Sequence, residues 1–245
     1  MYHRIMDFPG DGLSVHPEDF RRQMEYLASH GYHTVNLSML HDHLTKGTPL
    51  PRKPVVITFD DGYEDNFTNA MPVLKKHGMT AIVFVISDWI GKQNEWEVQR
   101  PGRPVCRTMD LDQLREWLDA GLEIGAHTVS HPRLSELTEE EIARELTDSK
   151  KALESLLNVP VDFLCYPYGN FDGRVRRLAS ASYKAALAIS SGTTIWHNDL
   201  YALRRVSVSA RKPLQDFAAK VTPLHILNQG LHNLRHSKGA EKGRK

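Results

Sequence analysis

The 245-residue sequence is poor in cysteine, holding only Cys106 and Cys165, and has no apolar run near the ~18 to 20 residues of a membrane-spanning helix. Two cysteines at that spacing exclude a disulfide framework and a zinc ribbon. Cys165 lies in an apolar run and reads as a small core residue; Cys106 sits in a loop-like stretch. An excess of one charge is also missing: 31 Lys and Arg face 30 Asp and Glu, a net charge of +1. That excludes a strongly basic nucleic-acid binder, so no nucleic-acid partner is expected. Met1-Tyr2-His3-Arg4-Ile5 leads into Asp7, Pro9 and Gly10, not into an apolar segment. No secretory leader is visible, and the expected location is cytoplasmic. Internal repeats, low-complexity tracts and a glycine-rich phosphate loop are absent as well.

What is present suits a globular chain with a core of good size: 40% hydrophobic and 25% charged residues. Helix-like and strand-like segments alternate along it. Pro17-Glu18-Asp19 opens a helix with Phe20, Met24 and Leu27 on one face, closed by Gly31. Further helices are predicted over 66–77 (with Pro72 as a kink), 108–120, 138–157 and 172–182. Strands are predicted over 34–37, 55–59, 80–85, 121–126, 161–165, 186–189 and 203–208. Alternation of this kind implies parallel βαβ units. Seven or eight strands in about 210 residues favour an α/β barrel related to the (β/α)8 type. A doubly wound open sheet is the second choice. Residues 91–107, with Trp96, Pro101, Gly102 and Pro104, form either a functional rim loop or an insertion.

Two units are expected: a barrel over residues 1–212 and a helical, basic tail over 213–245. The last fifteen residues hold Arg235, Lys238, Lys242, Arg244 and Lys245 against Glu241 alone. The simpler reading is a solvated, frayed terminus. The sharper one is peripheral contact with an anionic inner-membrane surface, because Leu224, Ile226, Leu227 and Leu231 lead into the basic stretch.

The chemistry concentrates at strand ends. Val55 to Phe59 runs into Asp60-Asp61-Gly62, two adjacent carboxylates where a buried strand stops. Burying both costs several kcal/mol unless a cation or another partner neutralises them. A second strand runs into His127-Thr128-Val129-Ser130-His131-Pro132, and a third into Tyr166-Pro167-Tyr168-Gly169. Two imidazoles four residues apart can face one point if the backbone turns. Alone the pattern is weak in a chain with thirteen histidines; His30, His33, His41 and His43 also cluster and read as surface residues. In a parallel barrel, however, all three motifs fall on one rim, where such barrels carry their active sites. One carboxylate and two imidazoles with open positions form the ligand set of a hydrolytic metal site, leaving the other aspartate as a general base.

These residues resemble the polysaccharide deacetylases of carbohydrate esterase family 4, which carry the NodB-homology fold. Thr58-Phe59-Asp60-Asp61-Gly62 matches the first motif of that family and His127-Thr128-Val129-Ser130-His131 the second. The likeness covers roughly residues 1–210. It implies a distorted (β/α)7 barrel, with Asp61, His127 and His131 as metal ligands and Asp60 as catalytic base. It also implies Tyr168 as the backbone donor to the carbonyl oxygen, in a substrate-binding motif with Tyr166 and Pro167. Zinc (Zn2+) suits two imidazoles and a carboxylate, with cobalt, nickel or manganese as substitutes.

The family's third motif usually carries an arginine three residues before its Phe/Tyr-Pro-Tyr-Gly; Phe163 stands there instead. That departure, with Tyr2-His3 near the start, resembles the branch of poly-N-acetylglucosamine deacetylases. The branch implies His3 as the general acid; His197 is its competitor. A strand carrying His3 has two residues before it, so either the natural chain begins upstream or the first strand is stunted. The expected activity is metal-dependent removal of an N-acyl group, most simply N-acetyl, from an amino sugar of a polysaccharide or a lipopolysaccharide precursor. The alternatives are a deformylase or small-amide hydrolase on the same ligands, and an inactive carbohydrate-binding relative.

Overall fold

The computed structural model describes residues 1–98, 102–191, 199–209 and 213–222. His197 and the segment 223–245, to which membrane contact was assigned above, lie outside them. Among the described residues, no helix is long and apolar enough to cross a membrane.

In chain order the elements are α1 (Pro17–Ser29), β1 (His33–Thr34), α2 (Leu37–Lys46), β2 (Pro54–Val55) and β3 (Thr58–Phe59). A π-helical turn, Asn66–Ala70, then runs into α3 (Met71–Lys76), followed by β4 (Ile82–Val85), α4 (Glu95–Val98), α5 (Leu111–Asp119) and β5 (Glu123–Ala126). The chain continues through α6 (Glu139–Leu157), β6 (Phe163–Cys165), α7 (Gly173–Ser182), β7 (Ala185–Ser191), β8 (Leu203–Arg205) and α8 (Leu214–Val221).

Strands β3 to β8 pair in sequence order, all parallel. The N-terminal residues close the ring. Tyr2 N donates to Thr58 O (2.8 Å) and Asp60 N to Tyr2 O (3.0 Å) on one side. On the other side the Met1 amino group donates to Val206 O (2.9 Å) and Val208 N to Met1 O (3.0 Å). The result is a distorted seven-stave (β/α) barrel whose first stave is two residues long. Alternation along the strands sorts the core into two layers. Ile82, Phe84, Phe163, Cys165, Leu187 and Leu203 fill the barrel, closed at one end by Leu37 of α2. Val83, Val85, Ile124, Leu164 and Ala186 face outward against Leu74, Trp117, Leu146 and Val175 of the surrounding helices.

Local rules explain most boundaries. Helix α6 starts on a capping box between Thr138 and Glu141 and buries Ile142, Leu146, Leu153 and Leu157 at helical spacing. Helix α5 starts later than predicted. Thr108 N and Met109 N are bonded to Lys92 O and Gly62 O, and Asp110 is the true cap. The strand predicted over 34–37 is only His33–Thr34; Asn36 accepts from Met39 N and begins α2 instead. The strand predicted over 55–59 divides between two sheets, β2 pairing with β1 and β3 with β4. Pro72 does not kink its helix; it sits in the first turn of α3, and the irregularity is the π turn before it. Helix α8 packs back onto the barrel: Phe217 is buried against Tyr26, and Tyr32 donates its hydroxyl proton to Val221 O (3.0 Å).

Trp117 ties the helical layer to the staves. It is fully buried, stands edge-on to Phe59, and donates its indole N–H to Glu123 O (2.9 Å). Trp117→Ala should lower unfolding free energy by about 3–5 kcal/mol in urea titrations. A loss below about 1 kcal/mol would contradict this packing.

Candidate metal centre and active site

The three strand-end motifs converge. Asp61 Oδ1 lies 3.3 Å from His127 Nε2 and 3.4 Å from His131 Nε2. Those separations are long for hydrogen bonds. They match the roughly 3.3 Å edge of a tetrahedral site whose bonds are about 2.0–2.1 Å. The ring tautomer of His127 fits as well: its Nδ1 sits 2.7 Å from the Cys165 carbonyl oxygen, so Nδ1–H donates there and the Nε2 lone pair is left for a cation. His131 Nδ1 lies 3.1 Å from the Tyr168 hydroxyl. All three ligand side chains are buried. Burial pushes the Asp61 carboxyl up, but the two imidazoles facing it outweigh that and hold it well below the usual carboxylate range. Burial lowers the His131 ring and keeps it neutral, the form that ligates. The donor set therefore fits a borderline divalent ion.

Asp60, Cys165 and His127 also come within ligating distance of one another. That group is spoken for by Arg205. Its Nη1 and Nη2 grip Asp60 Oδ1 (2.6 Å) and Oδ2 (2.8 Å), and Nη2 lies 3.0 Å from Cys165 Sγ. A buried guanidinium repels a second cation at that spot. The adjacent carboxylates thus have separate partners. Burial raises Asp60, yet the charge and hydrogen bonds of Arg205 prevail and hold its pKa at about 2. His3 Nε2 stands 3.9 Å from Asp60 Oδ2, with 12% of its side chain exposed. Burial lowers the His3 ring, opposed by the charges of Asp61 and Asp60.

The backbone is bent to reach this arrangement. Six described non-glycine residues have positive φ; four of them are Asp61 (75°), Thr128 (67°), His131 (67°) and Tyr168 (58°). Such conformations cost about 1–3 kcal/mol each and need support from their surroundings. Glu145 of α6 supports the second motif by accepting from Val129 N (2.8 Å), Ser130 N (3.0 Å) and the Ser130 hydroxyl (2.6 Å). Beside the third motif, Gly169 has φ 63°, and an added Cβ would come within 2.8 Å of the Ile189 backbone nitrogen. Glycine is required there.

Comparison with known proteins agrees with the geometry. Residues 47–186 match the family model described as polysaccharide deacetylase. The chain belongs to the polysaccharide deacetylase family. It is 32% identical over 210 residues to a putative polysaccharide deacetylase of Bacillus subtilis, covering 85% of this chain and 70% of that protein. It is 24% identical to the poly-beta-1,6-N-acetyl-D-glucosamine N-deacetylase of Escherichia coli K12, covering 90% of this chain but 38% of that protein. The structure of the Streptococcus pyogenes deacetylase PplD in complex with acetate superposes with a TM-score of 0.80, at 25% identity, over 91% of this chain and 96% of that one. IcaB from Ammonifex degensii, at 22% identity and a TM-score of 0.76, shares the fold.

Against the deacetylase pattern, Arg205 answers the missing arginine of the third motif. Phe163 occupies the expected position and points into the barrel core, while β8 supplies the guanidinium from across the ring. Only the absence of the motif arginine and the Arg204-Arg205 pair in the last strand hinted at this in the sequence. Tyr166 requires a correction. Its side chain does not line the site: it is fully buried, stacks on Phe171 and donates its hydroxyl proton to Tyr201 O (3.1 Å). Strand alternation turns it outward into the helical layer, while Cys165 before it points inward. Pro167 is buried in the turn Pro167–Gly169, and Tyr168 reaches His131. Cys165 is buried as expected, but its sulfur lies against the Asp60–Arg205 pair, 3.6 Å from Asp60 Oδ2 and 3.0 Å from Arg205 Nη2. Of the clustered histidines, His30, His33 and His43 are exposed and His41 is half-buried.

Residues 91–98 carry α4 to the rim. The Trp96 ring stands 5.9 Å from that of His131 and 5.3 Å from that of Trp89. A buried ionic cluster anchors it. Arg4 pairs with Glu97 (2.6 Å) and Asp11 (2.7 Å), Tyr63 donates to Glu97 (2.6 Å), and Arg103 reaches both acids.

Removing Arg205 would leave Asp60 buried without its counter-charge. Arg205→Met should cost about 3–5 kcal/mol of unfolding free energy at pH 7. The sign with pH follows from the depressed pKa: the stabilisation is present above the ordinary carboxylate range and disappears as pH falls toward about 2. The difference between wild type and Arg205→Met, measured by urea unfolding, should therefore shrink in acid. A difference that grew in acid would contradict the pairing.

Proposed function

We propose that this deacetylase hydrolyses the N-acetyl group of an amino sugar within a polysaccharide of the poly-N-acetylglucosamine type, with zinc as its ion. The observation that carries the reading is the division of labour between adjacent carboxylates: Asp61 shares a centre with His127 and His131, while Asp60 is held apart, ionised, by Arg205. The names of the relatives from Escherichia coli and Staphylococcus aureus support the substrate class.

Asp61, His127 and His131 would hold the zinc, which would supply Lewis acidity toward the acyl carbonyl and the attacking water. Asp60 accepts a proton from that water as its oxygen bonds to the acyl carbon. Tyr168 offers its backbone N–H to the carbonyl oxygen as negative charge grows there. His3 then protonates the sugar nitrogen as the C–N bond breaks, so that an amine departs and not its anion. The half-exposed Trp96 beside His131 offers an aromatic face to the sugar ring.

Two isosteric variants separate the roles of the paired aspartates. Asp60→Asn should retain stoichiometric zinc by elemental analysis and lose at least about 100-fold in kcat for acetate release, the scale of general-base catalysis. Asp61→Asn should lose both zinc and activity. Wild-type acetate release in Asp60→Asn would remove the base assigned here. Dialysis against a chelator should abolish acetate release, and added zinc should restore it; turnover that survives complete metal removal would reject the metal-dependent reading.

A further inference from the structure

The first stave is too short to hold His3 by strand pairing. Its ladder ends at Tyr2, which bridges Phe59, and the next bridge belongs to Arg4 and Ser14 on another segment. The hold on His3 and Ile5 comes from side chains at the start of the π-helical turn. Asn66 donates its Nδ2 proton to the His3 carbonyl oxygen (2.7 Å) and shares that nitrogen with Asp65 Oδ1 (2.9 Å). Asp65 Oδ1 accepts from Ile5 N (2.8 Å), and Asn69 Nδ2 donates to Ile5 O (2.7 Å). The opposite edge of the segment is bonded through Arg4, whose N donates to Leu13 O (3.2 Å) and whose O accepts from Val15 N (2.9 Å). Asn66 is fully buried, so its bond to His3 is shielded from competing water. A π turn is a costly local geometry that recurs at functional sites. Here it opens at Asn66, shortly after the paired aspartates, so the segment 60–69 carries the base, a metal ligand and the grip on the acid.

We infer that Asp65, Asn66 and Asn69 form a clasp that positions the His3 imidazole for proton delivery to the departing amine. They are positioning residues, acting through His3. The inference rests on the general-acid role proposed for His3, and the test separates the two.

The test compares two substrates. An oligomer of β-1,6-linked N-acetylglucosamine expels an amine and needs the acid. 4-Nitrophenyl acetate expels a stabilised phenolate and does not. For zinc-loaded Asn66→Ala and for Asn69→Ala, whose site is only partly buried and less prone to misfolding, the amide-to-ester turnover ratio should fall ten-fold or more. KM for the oligomer should stay within two-fold. His3→Ala should lower the same ratio further. The double variant of His3→Ala with Asn66→Ala should be no slower on the oligomer than His3→Ala alone, because a clasp has nothing left to position. Equal losses on both substrates, an unchanged ratio, or multiplying effects in the double variant would overturn the clasp while a selective His3→Ala effect left the acid assignment intact. A His3→Ala variant with an unchanged ratio would overturn both.

Discussion

Two adjacent carboxylates that are only 1% and 4% exposed dominate the physics of this molecule. Each has its own direct partner: Arg205 for Asp60, and His127 with His131 for Asp61. They cannot both stay charged side by side without compensation. The fold answers with a left-handed residue. Asp61, at φ 75°, breaks the strand so that its carboxylate leaves the barrel axis for the two histidines, while Asp60 stays inside facing Arg205. Barrel closure, the strained second motif and the guanidinium on the last stave all serve that separation.

The same constraint relates the two ends of the chain. Arg205 on β8 reaches Asp60 only because the ring is closed, and closure depends on Met1 and Tyr2 lying between β3 and β8. His3 then stands beside Asp60 as a consequence of that stave. Asp60 and Asp61 follow β3, His127 and His131 follow β5, and His3 comes from the N-terminal stave, so their relative positions are set by one parallel ladder. Site geometry and barrel integrity are hard to alter independently, which is why Arg205 matters both to stability and to the charge state of Asp60.

Much of this was legible in the sequence. The apolar runs ending in Asp60-Asp61, His127 and Tyr166 marked strands whose ends meet at one rim, and the two motifs named Asp61, His127 and His131, which the fold brings together. Helix α6 was readable from its cap and spacing because its local signals agree with its tertiary role. Helix α2 was not: its apolar residues Leu37, Leu40 and Leu44 are interspersed with histidines, and its role as a barrel plug is a long-range fact. The side-chain direction of Tyr166 depends on register, which a motif does not carry. Arg205 lies 145 residues from Asp60, beyond the reach of any local pattern. The π turn resembles an ordinary helix start in sequence; only the bonds of Asn66 and Asn69 to the N-terminal segment distinguish it.

The most direct measurement is anomalous diffraction at the zinc edge from crystals of the zinc-loaded protein. One strong peak is expected about 2.0–2.2 Å from Asp61 Oδ1, His127 Nε2 and His131 Nε2, with Asp60 still paired to Arg205. A peak between Asp60, His127 and Cys165, or none near Asp61, would contradict the separation of the two carboxylates on which the proposed chemistry depends.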